Sequence, residues 1–309
     1  MTGDTDTDRV VGATLAALGL LLLGLTGSAA EPAPNTASST ESDPNIVRVD
    51  SNAASAPRGN EPPPLETDTP TLLFQSEGLR LEQQGWRWGD ASGQAWRVSV
   101  PLPGRAEVEA SDSVTAFAAL LPGDPGPWAT INGGFYERGA MGLVVSDGAE
   151  HSPLSRRGGS GVFSWSADSG PRIQHRSDWT AGAPQALQSI DRLVDAGHSL
   201  VKQRPTARSA ARSAVAISSD RLWLVALADD ASIEPLPRAG GAELVQLHDT
   251  VVIGLPLWAF ADYLIDAVGA EQALNLDGAV STQLVVQTPD RRFEVLGERG
   301  TINSLTIRP

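Results

Sequence analysis

From Leu72 to Ile307 the chain is a succession of short apolar runs, each stopped by a glycine, a proline or an Asp-Gly pair. Runs of this length and spacing read as strands joined by tight turns. The clearest hairpin is Arg212 to Ile217, then Ser219-Asp220, then Leu222 to Leu227. One later segment breaks the pattern. Leu257, Phe260, Ala261, Leu264, Ile265 and Val268 recur at the spacing of an amphipathic helix, behind Pro256 and ahead of a capping Gly269. A shorter helix is expected through Val114, Phe117, Ala118 and Leu121, capped by Asp112 or Ser113 and stopped by Pro122-Gly123. Residues 185–195 fit helix or strand equally. Strands do not alternate steadily with helices, so a doubly wound parallel sheet is disfavoured. The expectation is a single strand-rich α+β domain over residues 71–309, with two or three helices packed on the sheet.

The N-terminal part reads differently. Residues 10–25 are apolar or small, and Gly27-Ser28-Ala29-Ala30 follows with the small side chains that suit signal-peptidase cleavage. Residues 1–30 are therefore expected to be a signal peptide, or a membrane anchor if left uncleaved. The acidic start, with Asp4, Asp6 and Asp8 around Arg9, keeps the anchor reading open. In either case the bulk of the chain is expected to be exported, to the periplasm or the extracellular space. Residues 31–70 are rich in Pro, Ser, Thr, Ala and acids. They have too little apolar surface to offset the entropy of ordering and are expected to form a disordered spacer.

Charge and composition exclude several functions. Net charge is -14 and Lys202 is the one lysine. No basic face for a phosphate backbone is evident, so nucleic acid is excluded as the expected partner. Cysteine is absent, which removes disulfides, thiolate metal sites and a cysteine nucleophile together. The four histidines are scattered without zinc-ligand spacing. Ser160 lies in Gly158-Gly159-Ser160-Gly161, which is not a nucleophile-elbow pattern.

Two stretches carry chemistry. In Leu274-Asn275-Leu276-Asp277-Gly278, strand alternation puts both polar side chains on one face and both leucines on the other. Ser281 and Thr282 add hydroxyls just beyond the turn. In Trp128 to Asn132, a strand runs into Gly133-Gly134, whose N–H groups are able to cradle an anion or simply to close a hairpin.

These stretches form part of an ordered set. It comprises Asn132-Gly133-Gly134-Phe135-Tyr136, Gly142-Leu143, Gln188-Ser189 with Arg192-Leu193-Val194, Arg212-Ser213-Ala214-Val215, and Asn275-Leu276-Asp277-Gly278 with Ser281. In that order the set resembles the phosphodiester glycosidase domain family, which includes the lysosomal uncovering enzyme, and the resemblance spans roughly residues 128–309. The sequence departs from the family where Ala279 replaces a frequent glycine. It departs again at Ile190-Asp191, Met141 and Ala216. The resemblance implies hydrolysis of a sugar-1-phosphodiester, in envelope or extracellular polysaccharide. A non-catalytic glycan- or anion-binding module is the alternative.

The residue chemistry agrees with it. Breaking the C1–O bond of such a diester releases a phosphomonoester, already a stable anion, so strong acid help at the leaving oxygen is less necessary than in ordinary glycosides. The candidate catalytic carboxylates are Asp277, as base or nucleophile, and Glu137. Arg212 is the candidate for a bidentate phosphate grip. Gly133, Gly134 and Gly278 would assist through their backbone. Asn132, Asn275, Ser281 and Thr282 would orient sugar hydroxyls or phosphate oxygens. No cofactor is demanded; a divalent cation beside Asp277 is compatible with the carboxylate, but no ligand set requires one. A carbohydrate or sugar phosphate is the expected ligand, with membrane contact only through residues 10–25 if these remain uncleaved.

Overall fold

A computed structural model describes residues 62–204, 208–237, 242–247 and 254–309. The leader and most of the spacer expectation lie outside these residues. The last part of the expected spacer is described, and it is ordered. Leu65–Thr67 pairs with Trp88, Arg87 and Trp86, and the Asp68 N–H donates to the Gly85 carbonyl at 2.9 Å. The described fold thus starts ahead of Thr71.

The fold is mostly β. Among the described residues there are three sheets, of nine, seven and five strands, and one α-helix. The expectation of two or three helices on an α+β sheet is corrected by this. The segment around Val114 is the main reason. Arg105–Thr115 is a long strand paired with Thr301–Arg308, and only a 3-10 turn, Phe117–Leu120, follows it. Ala106 and Val108 alternate into the core, and a distant strand supplies their hydrogen bonds, which overrides a weak local helix pattern. The ambiguous stretch resolves into two strands in different sheets, Gln185–Ser189 in the five-stranded and Arg192–Asp195 in the nine-stranded.

Strand alternation sorts the side chains into two layers. The inner faces of all three sheets meet in one core, with Val98, Val215, Leu224, Leu274 and Leu276 from the nine-stranded sheet, Ile131, Val286 and Leu305 from the seven-stranded, and Phe163 and Leu187 from the five-stranded. The other face of the nine-stranded sheet offers Ala214, Ala216, Val225 and Ala273 to the helix Leu257–Asp266. No helix among the described residues is long and apolar enough to cross a membrane.

The helix ends as its sequence indicates. Gly269 takes φ +71°, its N–H donates to the Ile265 carbonyl at 3.1 Å, and Ala270 N–H donates to Leu264 at 2.9 Å. Its buried face differs from the expected stripe. Trp258 and Tyr263 are buried beside Phe260, Ala261 and Leu264, while Leu257 and Ile265 are only partly covered. The rotation follows a polar contact. Tyr263 donates its hydroxyl to Gln84 Oε1 at 2.8 Å, and the same oxygen accepts from Arg97 Nη1 at 3.0 Å. Arg97 also donates from Nε to Glu82 Oε2 at 2.7 Å and from Nη1 to the Ala267 carbonyl at the end of the helix. A buried cation therefore satisfies a helix-terminal carbonyl and joins helix to sheet.

This network makes a stability prediction. Glu82→Ala leaves the Arg97 guanidinium, 6% exposed, without its carboxylate and is expected to cost about 3–5 kcal/mol. The double change Arg97→Met with Glu82→Leu is expected to recover most of that loss. Denaturant midpoints of the parent, single and double variants check both statements.

Candidate active site

The two glycine turns that the sequence singles out lie against each other. Asp277 N–H donates to the Gly133 carbonyl at 3.0 Å, and Asn132 Nδ2 donates to the Asp277 carbonyl at 2.6 Å. Asn132 ends the strand Trp128–Asn132 of the seven-stranded sheet and is fully buried. Its Oδ1 accepts from the Ser213 hydroxyl at 2.8 Å and from the Gln283 N–H at 3.0 Å. Its amide is thus committed to the protein, binding two sheets and the Asp277 turn together. The expectation that Asn132 orients a substrate is replaced by this structural role.

Gly133 and Gly134 are also spoken for. Gly133 N–H donates to the Asn303 carbonyl at 2.9 Å and Gly134 N–H to Asn303 Oδ1 at 2.8 Å. The expected anion cradle is therefore filled by Asn303. A Cβ on Gly133 would collide with the Asn303 side chain, and one on Gly134 would lie 2.6 Å from the Gln188 carbonyl. Close approach, not an open N–H pair, is why glycine stands at both positions. Gly278 has the same reason, since a Cβ there would lie 2.7 Å from the Ala211 carbonyl.

Asp277 follows the strand Gln272–Asn275, which is held centrally in the nine-stranded sheet between Arg212–Ile217 and Arg192–Asp195. Leu274 and Leu276 enter the core, and Ala273 faces the helix, so the alternation read from sequence is present. The Asp277 carboxylate accepts from the Gly278 N–H at 3.1 Å. Burial raises its pKa above the usual carboxylate value. The Ser281 hydroxyl, the Gly278 N–H and the charge of Arg299 act the other way. Tyr136 belongs to the same group. Its phenol pKa is raised by burial and by the Asp277 charge, and its hydroxyl donates to the Gly300 carbonyl.

Asn275 is 3% exposed and its Oδ1 is buried without a hydrogen-bond partner. An orphaned buried amide oxygen two residues from a partly buried carboxylate is the mark of a position that a ligand or water completes. Thr282 is fully buried and its hydroxyl also lacks a partner.

Arg212 opens the strand that pairs with Asn275 through Ala214. Its Nε donates to the Leu255 carbonyl and its Nη2 to the Arg208 carbonyl, both at 2.9 Å. Burial lowers its pKa to about 10, the charge of Asp191 opposing that shift. The guanidinium has five N–H donors, so the two carbonyls leave donors free for an anion. Asp191 is the carboxylate that sequence reasoning overlooked. Its main-chain carbonyl accepts the Asn275 N–H at 2.9 Å, and burial raises its pKa while Arg212 lowers it. No motif spacing marks it, because only the folded sheet brings it to Asn275.

Glu137, next to Tyr136, makes no hydrogen bond or ion pair to Asp277 among the described residues. Its Oε2 pairs with Arg157 Nη2 at 2.7 Å, and both side chains are largely exposed. None of its contacts joins it to the Asp277 group. Among the described residues no set of three or more His, Cys, Asp or Glu gathers as metal ligands.

A family model described as Phosphodiester glycosidase matches residues 126–307. The crystal structure of a hypothetical protein from Synechocystis is similar, with a TM-score of 0.55 at 14% identity, covering 78% of this chain; this chain covers 64% of that one. The catalytic domain of zebrafish N-acetylglucosamine-1-phosphodiester alpha-N-acetylglucosaminidase, auto-inhibited by its pro-peptide, has a TM-score of 0.50 at 18% identity. That match covers 79% of this chain and 88% of the zebrafish chain. A search of curated protein sequences finds no match. At such identities the structural likeness speaks to fold alone.

The turn geometry yields a prediction. Ala279, where the family pattern has a glycine, sits at φ +54°, a conformation that strains any residue with a Cβ. Ala279→Gly is expected to raise stability by about 0.5 kcal/mol, the relieved strain exceeding the added entropy of the unfolded chain. Asn132→Ala strands the Ser213 hydroxyl, the Gln283 N–H and the Asp277 carbonyl, and is expected to cost about 2–4 kcal/mol. Melting curves of both variants beside the parent give the two signs.

Proposed function

The chain belongs to the phosphodiester glycosidase family, and we propose that it hydrolyses a glycosyl phosphodiester where Arg212, Asn275 and Asp277 converge. The observation that carries this reading is a partly buried, hydrogen-bonded carboxylate two residues beyond an orphaned amide, beside a neighbouring strand that brings an arginine with free donors.

The chemistry follows from these groups. Arg212 binds the single negative charge of the diester, and Asn275 holds a sugar or phosphate oxygen. Asp277 takes the proton of a water that attacks the anomeric carbon. The C1–O bond breaks, and its electron pair leaves on the phosphate oxygen. The products are a free sugar and a phosphomonoester. The leaving group is an anion stable in water, so one carboxylate suffices where ordinary glycosides need two. Raising the Asp277 pKa makes it a stronger base once ionised. Direct attack by Asp277 on the anomeric carbon is the variant of this scheme, and trapping a glycosyl-enzyme would identify it. The apolar leader and the spacer composition support an exported setting, with the substrate in envelope or extracellular polysaccharide. Ser281 acts through Asp277, by fixing its carboxylate.

Asp277→Asn keeps the size and the Gly278 contact but removes the base. Release of sugar from an activated sugar-1-phosphodiester is expected to fall by at least about a hundredfold. Stability is expected to move the other way. The folded state holds the Asp277 proton more tightly than the unfolded state, so Asp277 costs stability as pH rises past the ordinary carboxylate value. Above that window the Asn variant should therefore melt no lower than the parent; below it the advantage disappears. Arg212→Lys keeps the charge but loses the fork. It is expected to weaken phosphodiester binding by about tenfold and to lower the melting temperature through the lost Leu255 and Arg208 contacts. Near-parental sugar release by a folded Asp277→Asn protein would remove Asp277 from the mechanism. Saturable sugar-phosphate binding by the parent without product would make the protein a binding module.

A further inference from the structure

Arg212 is weakly neutralised for a partly buried arginine. Its hydrogen bonds go to neutral carbonyls, and it forms no ion pair among the described residues. The opposite charge that acts on it is Asp191, and Asp191 in turn responds to Arg212. Yet the Asp191 carboxylate accepts no hydrogen bond and makes no ion pair among the described residues. The two charges act on each other without forming an ion pair among the described residues.

Their placement explains the gap. Asp191 is tied by its main-chain carbonyl to the Asn275 N–H, while the strand of Arg212 pairs with Asn275 from the other side. Asp191 and Arg212 thus flank the strand Gln272–Asn275 and its continuation to Asp277, Asp191 beside Asn275 and Arg212, two residues from Ala214, beside Asp277. Two strand spacings with a two-residue offset, roughly 12 Å, separate their main chains, and an arginine side chain covers about half of that. Asn275, with its buried, unpartnered oxygen, lies on the strand between them.

We propose that Asp191 sets the charge selectivity of the site, admitting a monoanionic phosphodiester to Arg212 and disfavouring the dianionic phosphomonoester that hydrolysis releases. This rests on the reading of Arg212 as the phosphate-binding group. Arginine alone would hold the product more tightly than the substrate. A diester carries one negative charge, whereas a monoester carries about -1.5 to -2 at neutral pH, and Coulomb attraction grows with that charge. A site in which Arg212 outweighs the Asp277 charge, with no further carboxylate, would be inhibited by its own product. A fixed negative charge across the gap lowers the net attraction, which grows in proportion to ligand charge, while the cost of stripping water from the ligand grows with the square of its charge, so the dianion loses its advantage. The carboxylate also leaves Arg212 unclaimed, because it stands outside ion-pair distance. It is a specificity-determining residue; the proton transfer stays with Asp277.

The test compares dimethyl phosphate with methyl phosphate at pH 8, where the first is a monoanion and the second a dianion. Phosphorus NMR titration of the folded protein gives both dissociation constants. The parent is expected to bind methyl phosphate no more tightly than dimethyl phosphate. Asp191→Asn is expected to tighten methyl phosphate by about tenfold and dimethyl phosphate by clearly less. Asp191→Glu restores the charge and is expected to restore the parental order, which separates charge from packing. Melting curves establish that each variant is folded. If the ratio of the two constants is the same in the parent and in Asp191→Asn, the selectivity role is overturned while Arg212 remains the phosphate site. If the parent binds neither ligand, the reading of Arg212 falls and this inference falls with it.

Discussion

The side-chain amide of Asn132 is the contact on which the site depends. It is fully buried, and its partners come from three places: the Asp277 carbonyl, the Ser213 hydroxyl and the Gln283 N–H. Each would be an unsatisfied polar group in a low-dielectric interior if the amide were absent. One residue at a strand end therefore fixes the separation of the seven- and nine-stranded sheets at the point where Asp277 leaves the latter. The glycines follow from this. The backbones approach so closely around Asn303, Gln188 and Ala211 that no Cβ fits at Gly133, Gly134 or Gly278. Rigid backbone contact on every side is what holds the Asp277 carboxylate in one place.

The helix Leu257–Asp266 adds a second constraint, and it is set by two arginines of one sheet. Arg97 reaches the Ala267 carbonyl at the helix end, and Arg212 reaches the Leu255 carbonyl just ahead of its start. Arg97 meets a carbonyl of the last turn that lacks an intrahelical partner, whereas the Leu255 carbonyl lies ahead of the helix and also accepts the Ala210 N–H. The consequences differ because the neighbours differ. Arg97 also has Glu82 within hydrogen-bond distance and is a closed structural pair. Among the described residues Arg212 has no carboxylate within ion-pair distance and feels Asp191 at longer range, so it keeps the capacity to bind an anion. The same residue type thus serves structure at one helix end and binding at the other.

Legibility in the sequence follows the range of the interactions. The helix and the Asn275–Asp277 alternation were legible because periodicity and capping are local, and the Leu274 and Leu276 side chains do enter the core. The helix expected near Val114 was misread because the strand Arg105–Thr115 takes its hydrogen bonds from a strand near the end of the chain. Gly133-Gly134 was misread for another reason. A glycine needed for close approach and a glycine offering its N–H to an anion look identical in sequence, and Asn303, which decides between them, lies far along the chain. Asp191 was legible only as a departure from the family pattern, not as a site residue. Its importance comes from a main-chain bond to Asn275 that only the folded sheet creates.

The electrostatics of the site also fit the chain that carries it. A protein of net charge -14 repels anionic ligands at long range, and salt screens that repulsion over about 8 Å under physiological conditions. Recognition of a phosphodiester must then be made locally, by a partly buried cation where one charge acts more strongly than in bulk water. Arg212 meets that condition, with burial lowering its pKa to about 10 and so leaving it protonated at neutral pH. Burial acts oppositely on Asp277 and Asp191, raising both. Their surroundings then divide the work. Asp277 is fixed by Gly278 and Ser281, which suits a group that must meet a reacting water in one orientation. Asp191 has no such anchor and feels Arg212 instead, which suits a charge that acts on a bound phosphate from a distance.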